Sequence, residues 1–282
     1  IYDGIGFNSR INMAEDSSNI ISNLISKAKT PLMTIGELIG VCDQLKSIGR
    51  LTDANEIYKI WIAFHPDSEF LHIAFFNYSG YLTELDDRIG ALNALSQSIK
   101  SKEDFIPPYI NIANIYESYG NTELAISYTA KGLEKLTILN KDNIDNKALL
   151  HKQLGRIYTP ISIDKAEEQF KNSLLIKQDQ IDVIQQWISL RQRQCKWPIL
   201  SDELSIPLTD LFKSIAPLSL LYYVDDPIFH LANAYNYNKT FLGWNNCKPP
   251  YNAKKTNPKK TRKLRVGYVS SDLRDHAVGY SM

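Results

Sequence analysis

The chain has little of what most catalytic and cross-linked scaffolds need. It carries only three cysteines in 282 residues, Cys42, Cys195 and Cys247, odd in number and far apart. That pattern argues against a disulfide framework and for a reducing, cytoplasmic setting. No two cysteines have Cys-x-x-Cys spacing, and no histidine stands near a cysteine at zinc-finger distance, so no metal and no cofactor is expected. No apolar run approaches the roughly 20 residues of a membrane span, so no membrane partner is expected. Charge of one sign is also missing. The formal balance is +1, which exerts no global pull toward nucleic acid or a lipid surface. There is no Walker-type loop, no Gly-x-Gly-x-x-Gly, no Ser-centred elbow and no tight acid pair on one helix. The opening Ile1-Tyr-Asp-Gly-Ile-Gly6 is no signal peptide. The chain is expected to be a piece of a longer polypeptide.

What is present is a repeat. Residues 1–34 form an N-terminal segment, with Ile20, Ile21, Leu24 and Ile25 at helical spacing behind Ser17 and Ser18, which can cap. From residue 35, helix pairs recur. Leu38, Val41 and Leu45 line one helical face and Gly49 breaks it. Ala54, Tyr58 and Trp61 line the next, which Pro66 ends. A small residue, a large aromatic and a proline at these offsets match the second half of a tetratricopeptide repeat. The small residue lets antiparallel helices approach, the aromatic fills the gap to the next pair, and proline stops the helix.

The second unit spans about 72–105, with Phe75, Tyr78 and Leu82, then Ala91 and Leu95. The third, about 106–139, is the clearest: Tyr109, Ile112, Ala113 and Tyr116, then Gly120, then Ala125, Tyr128 and Gly132. A fourth, from about 148, carries Leu154, Gly155 and Tyr158, then Ala166, Phe170 and Ser173. Residues 140–147 are polar and read as a loop between units three and four. Four units exceed the three or so that a stacked array needs; a plain helical bundle is the alternative.

Ile184, Trp187 and Leu190 predict one more helix over 181–197, closing the repeat region at 35–198, with Pro198 as its stop. Residues 199–262 read as a connector. It is helical around Leu218–Tyr223 and Phe229–Tyr235 and ends in a tether with Pro249, Pro250 and Pro258. Lys254, Lys255, Lys259, Lys260, Arg262, Lys263 and Arg265 make this end basic. Without interleaved aromatics, a solvated linker is favoured over a nucleic-acid patch.

Two features are candidates for function. The first is a set of amides: Asn77, Asn111 and Gln153 hold the sixth place of units two, three and four, and Asn114 shares the stretch Tyr109-Ile-Asn-Ile-Ala-Asn114. Amides carry both donor and acceptor, so a row of them can grip an extended peptide backbone on the face lined by first helices. The plainer alternative is that they are solvated. Gly40 holds this place in unit one and offers no side chain. The second feature is 263–282. Leu264-Arg-Val-Gly-Tyr-Val269 is a short apolar run, Ser270-Ser-Asp272 a turn signal, and His276 follows in a polar segment. A strand, a loop at its carboxyl end and a helix start are expected, the place where open α/β folds bind ligands.

The run Leu264-Arg-Val-Gly-Tyr-Val-Ser-Ser-Asp-x-x-x-His276 resembles the start of the catalytic domain of protein O-GlcNAc transferases and SPINDLY-like proteins, glycosyltransferase family 41. Tyr280, within Ala-Val-Gly-Tyr, stands near the place of a second histidine in animal enzymes and looks more like the bacterial branch. The resemblance covers about twenty residues and is collinear with the repeats. It implies a mainly α chain, a tetratricopeptide-repeat α-solenoid, followed by a linker and the first strand of an α/β (GT-B) domain. It implies that the full-length protein transfers N-acetylglucosamine from UDP-GlcNAc to Ser or Thr of proteins, with inversion and no metal. His276 would be its active-site residue here, and Asn77, Asn111, Asn114 and Gln153 would correspond to the family's asparagine ladder, which holds substrate protein. The donor sugar stays open, since other nucleotide sugars fit the same motif. The fragment by itself would be inactive. The competing expectation is a non-enzymatic tetratricopeptide-repeat scaffold that binds peptides.

Overall fold

The computed structural model describes residues 19–136, 141–198, 204, 206, 213, 215–221 and 224–241. The expected strand, His276 and the basic tether lie outside these residues. Chain contacts divide the molecule into two units, Ile1–Asn236 and Tyr237–Met282. Of the second, only the last helical turn is described, where the Tyr237 and Phe241 rings lie 4.7 Å apart.

The first unit is built of helices. α1 is helical over residues 19–28, followed by α2 (Ile35–Ser47), α3 (Leu51–Phe64), α4 (Leu71–Glu84), α5 (Arg88–Ser101), α6 (Pro107–Ser118) and α7 (Thr122–Lys135). α8 (Lys141–Tyr158), α9 (Ile163–Ile176) and α10 (Ile181–Arg193) complete the array. The connector adds α11 (Pro217–Leu220) and α12 (Pro227–Phe241). No strand occurs among the described residues. No described helix is long and apolar enough to cross a membrane.

One turn type is used again and again at the ends of first helices. After α2, Gly49 has φ +80, its amide donates to Lys46 O and the Arg50 amide to Leu45 O. After α6, Gly120 has φ +72 and the Gly120 and Asn121 amides donate to Glu117 O and Tyr116 O. This is the Schellman arrangement, which satisfies carbonyls left over at a helix end and needs a left-handed residue. Asp86 (φ 61) and Cys195 (φ 53) take the same place after α4 and α10. After Gly49, Asp86 and Gly120 the next residue is the N-cap of the following helix. Asp87 accepts from the Gly90 amide at 2.8 Å, and Asn121 from the Leu124 amide at 3.2 Å. The α2–α3, α4–α5 and α6–α7 pairs are therefore helical hairpins whose reversal is written in two or three adjacent residues.

Cys195 also explains why α10 stops at Arg193 rather than running to Pro198. The left-handed turn ends it first, with the Lys196 amide on Arg191 O at 3.1 Å. The expected loop at 140–147 is corrected as well. Residues 141–147 are the opening turns of α8. The segment is polar, but it contains no glycine or proline, and polar residues do not break an exposed helix. Asp145 pairs at 3.0 Å with Lys177, the residue that caps the end of α9, which anchors this overhang.

The core follows the small-large pattern. Ala54, Ala74, Ala91, Ala113, Ala125 and Ala166 are fully buried between helices. At Gly155 an added Cβ would sit 2.6 Å from the Phe170 ring, so α8 and α9 meet at glycine contact distance. Ile184, Trp187 and Leu190 of α10 are buried together with Leu204, Ile206, Ile215 and Leu220. The apolar cluster around α10 thus continues beyond Pro198 into the connector.

Candidate functional site

The first helices of successive pairs present one continuous face. A hollow of about 210 Å³ lies over α2, α4 and α6, lined by Asp43, Tyr58, Phe76, Asn77, Tyr81 and Asn111 among others. A second, of about 360 Å³, lies over α6, α8 and α10 and is lined by Asn111, Asn114, Lys152, Gln153, Arg156 and Gln186. Asn111 borders both. Gln186 also borders a third hollow, with Asp182, Gln185 and Arg193. The three are stations along one groove.

All four amides singled out from sequence therefore face this groove, but they differ in what they have left to offer. Asn77 lines the first hollow beside Tyr58. Gln153 is 3% exposed. Its Nε2 donates to Ile110 O at 3.1 Å and to Asn114 Oδ1 at 2.9 Å, and its own Oε1 is buried without a partner. Asn114 Oδ1 accepts a second bond from the Arg156 guanidinium at 2.9 Å, which in turn pairs with Glu117 at 2.6 Å. Gln153 is thus a strut that crosses from α8 to α6 and holds Asn114 by its carbonyl oxygen, the Asn114 amino group making no bond among those described. Asn111, half-buried, has no such duty among the bonds described.

Burial, with the neighbouring Cys42 adding, pushes the Tyr58 phenol up; the nearby Asn77 amide offsets this only in part. Burial and the hydrogen bond to Asp43 raise the Tyr81 phenol likewise. Both rings therefore stay neutral. Burial also pushes the Cys42 thiol up to about 12, so it is an inert core residue, its Sγ on Ala54 O at 3.6 Å.

The sequence reading missed Asp43, Tyr81, Arg156 and Gln186. The signal for two of them was there. Asp43 and Arg156 stand three residues after Gly40 and Gln153, as Asn114 does after Asn111. Three residues is nearly one helical turn, so these places share the face of the sixth. Gly40 keeps the amide row out of unit one, but the groove reaches α2 through Asp43 and Ile39.

The remaining described histidines serve structure. His65 stacks on Trp61 at 4.4 Å, His72 packs edge-on to Phe105 at 4.9 Å, His151 bonds Gln169 at 2.8 Å and His230 meets Val224 O at 2.7 Å. No group of three or more potential metal ligands occurs among the described residues.

No family model matches the chain, and no curated protein matches it. Solved structures do. The C-terminal part of a TPR repeat-containing protein from Cytophaga hutchinsonii superposes with a TM-score of 0.55 at 13% identity, over 84% of this chain and 95% of that one. PilF of Pseudomonas aeruginosa gives 0.55 at 11% identity, over 78% and 94%. BtubC from P. vanneervenii gives 0.50 at 14% identity, over 90% and 98%. At such identities the likeness is one of fold. Together with the paired helices and their repeated turn, it makes the described array a tetratricopeptide-repeat solenoid.

Proposed function

We propose that this array is a protein-binding module that holds an extended polypeptide segment in the groove across α2, α4, α6, α8 and α10. The observation that carries the reading is the position of Asn111. Its amide borders two adjoining hollows whose other walls hold Asn77 on one side and Asn114 on the other. Amides spaced along a groove match the alternating donors and acceptors of a peptide backbone without reading its side chains. Asn111→Ala, at a half-buried site with no described structural bond, should leave the circular dichroism spectrum and thermal midpoint unchanged. It should weaken capture of decapeptides on an array by about tenfold, the order of one lost hydrogen bond in a desolvated groove. Undiminished capture by the folded variant would remove the reading.

A second reading concerns the protein as a whole. The Leu264–His276 run supports a family 41 glycosyltransferase, in which the groove delivers acceptor proteins to a domain that moves N-acetylglucosamine from UDP-GlcNAc to Ser or Thr. In that reading His276 meets the acceptor hydroxyl, as a neutral imidazole that orients or accepts its proton. The test is sugar transfer by the native polypeptide from its source, with His276→Ala as the control. Equal transfer by both would remove His276 from the chemistry. No transfer from UDP-GlcNAc or another nucleotide sugar would leave the module reading alone.

A further inference from the structure

We infer that the joint between α4 and α6 is the hinge of the groove, and that the polypeptide segment held there fixes it. The fixing rests on the peptide-binding reading above; the hinge itself does not.

Neighbouring first helices are tied to one another by polar bonds. Across α2–α4, the Tyr81 hydroxyl donates to Asp43 at 3.0 Å and Lys46 pairs with Glu84. Across α6–α8, Gln153 donates to Ile110 O and Asn114, and Arg156 to Asn114 and Glu117. Across α8–α10, Lys152 pairs with Asp182 at 2.5 Å. α4 and α6 are described over their whole length, and no hydrogen bond or ion pair joins them. One position accounts for the difference. Asp43, Asn114 and Arg156 stand three residues after the sixth place of units one, three and four, and each takes part in a tie. In unit two this place falls to Gly80, three residues after Asn77, with no side chain to offer. Packing does not require glycine there, since an added Cβ would meet nothing within 4 Å. Glycine in a helix interior is destabilising relative to alanine. Its neighbours loosen the same turn. Ser79 Oγ donates to Phe76 O at 2.6 Å and Thr83 Oγ1 to Ser79 O at 2.8 Å, back-bonds of the kind that bend helices.

What holds this joint is apolar and aromatic contact. Leu82, Ala91 and Ala94 pack with Phe75, Tyr78 and Ile115, and the Phe76 and Phe105 rings meet edge-on at 5.6 Å. Arg88, at the start of α5, lies 5.3 Å from the centre of the Tyr119 ring at the end of α6. Apolar contact is non-directional, so it survives a small rotation of one helix pair against the next. A hydrogen bond, which weakens steeply with angle, does not. The untied joint also falls where the ligand lies. Asn77, Gly80 and Asn111 share one hollow, and Asn111 borders the next. A backbone bonded to both Asn77 and Asn111 supplies the link from α4 to α6 that the chain itself lacks. It binds best to the arrangement in which both amides reach it, and so draws the joint into that arrangement.

The test is the spread of spin-label distances in the whole chain, with Cys195→Ser and Cys247→Ser leaving the buried Cys42 as the one native thiol. Labels at Leu85→Cys and Ser118→Cys span the α4–α6 joint; labels at Ser118→Cys and Pro160→Cys span the tied α6–α8 joint. Without peptide, the first distribution should be about twice as wide as the second. Gly80→Gln, which adds an amide in the hollow that Asn111 lines, should narrow the first toward the second. An N-acetylated, C-amidated decapeptide, recovered from a randomised pool on the immobilised chain, should narrow it likewise. Equal widths without peptide overturn the hinge. A wide distribution that Gly80→Gln leaves unchanged overturns the role of Gly80, and one that the bound decapeptide leaves unchanged overturns the fixing by the segment. A folded chain that retains no decapeptide overturns the peptide-binding reading and the fixing with it, while the widths without peptide still decide the hinge.

Discussion

At the N-terminal end, α1 to α4 bury Met33, Leu38, Cys42, Ile57, Tyr58 and Trp61 in one cluster, and at the other end α9, α10 and the connector bury Phe170, Trp187, Ile188 and Leu220. Between them lie smaller clusters, Leu82 with Ala91 and Ala94, and Ile106 with Ile110 and Leu150, beside further buried side chains such as Leu95, Tyr109, Ile112 and Ile157. Polar ties add to the apolar contacts of the middle. Ser98 Oγ donates to His72 O at 2.7 Å and Gln153 to Ile110 O at 3.1 Å, bonds that tie one helix to the backbone of another. The end clusters are the larger, while in the middle buried alanines and polar ties act together with side chains such as Leu95, Ile112 and Leu150. A stacked array draws its stability from its units and their interfaces together.

The comparison can be broken most easily at the C-terminal end. Trp187→Ala should cost about 4 kcal/mol, since the side chain is fully buried at the centre of its cluster. Urea unfolding would show it as a lower midpoint. A loss below about 2 kcal/mol would mean that the ends are no better packed than the middle.

Next comes the ionic lock on α10. Glu167, 7% exposed, receives Lys196 at 2.5 Å, Arg191 at 2.7 Å and Gln194 at 3.0 Å. Burial pushes its carboxyl up, but bonds from Lys196, Arg191 and Gln194 outweigh this and hold it below the usual carboxylate range. A lowered folded value means stability that is present above the ordinary glutamate value of about 4.3 and lost as pH falls below it. Thermal midpoints should therefore drop in acid, and Glu167→Gln should flatten that part of the profile while costing about 3 kcal/mol at neutral pH. An unchanged acid limb in the variant would assign the drop to other carboxylates.

The smallest effect belongs to the middle. Ser98→Ala removes one donor from His72 O and should cost about 1 kcal/mol, read by the same urea titration. A cost equal to that of Trp187→Ala would erase the contrast between centre and ends.

Helix pairing was legible because its signals are local. Gly49, Gly120 and Pro66 sit where the backbone needs a left-handed turn or a missing donor, and Ala54, Ala91, Ala125 and Ala166 mark the close faces. Asp86 and Cys195 perform the same turn without glycine, and so α10 was expected to run too far. Polar composition misled at 141–147, because its helix is steadied by Lys177, more than thirty residues away.

The sequence by itself determined a tetratricopeptide solenoid, its helix spacing and the face on which Asn77, Asn111, Asn114 and Gln153 lie, because periodicity follows from the geometry of one helix. Only the tertiary structure decided which of these groups are already occupied. Gln153 is consumed as a strut and Arg156 is held by Glu117 and Asn114, because hydrogen bonds and ion pairs form between residues that only the stacking of helices brings together.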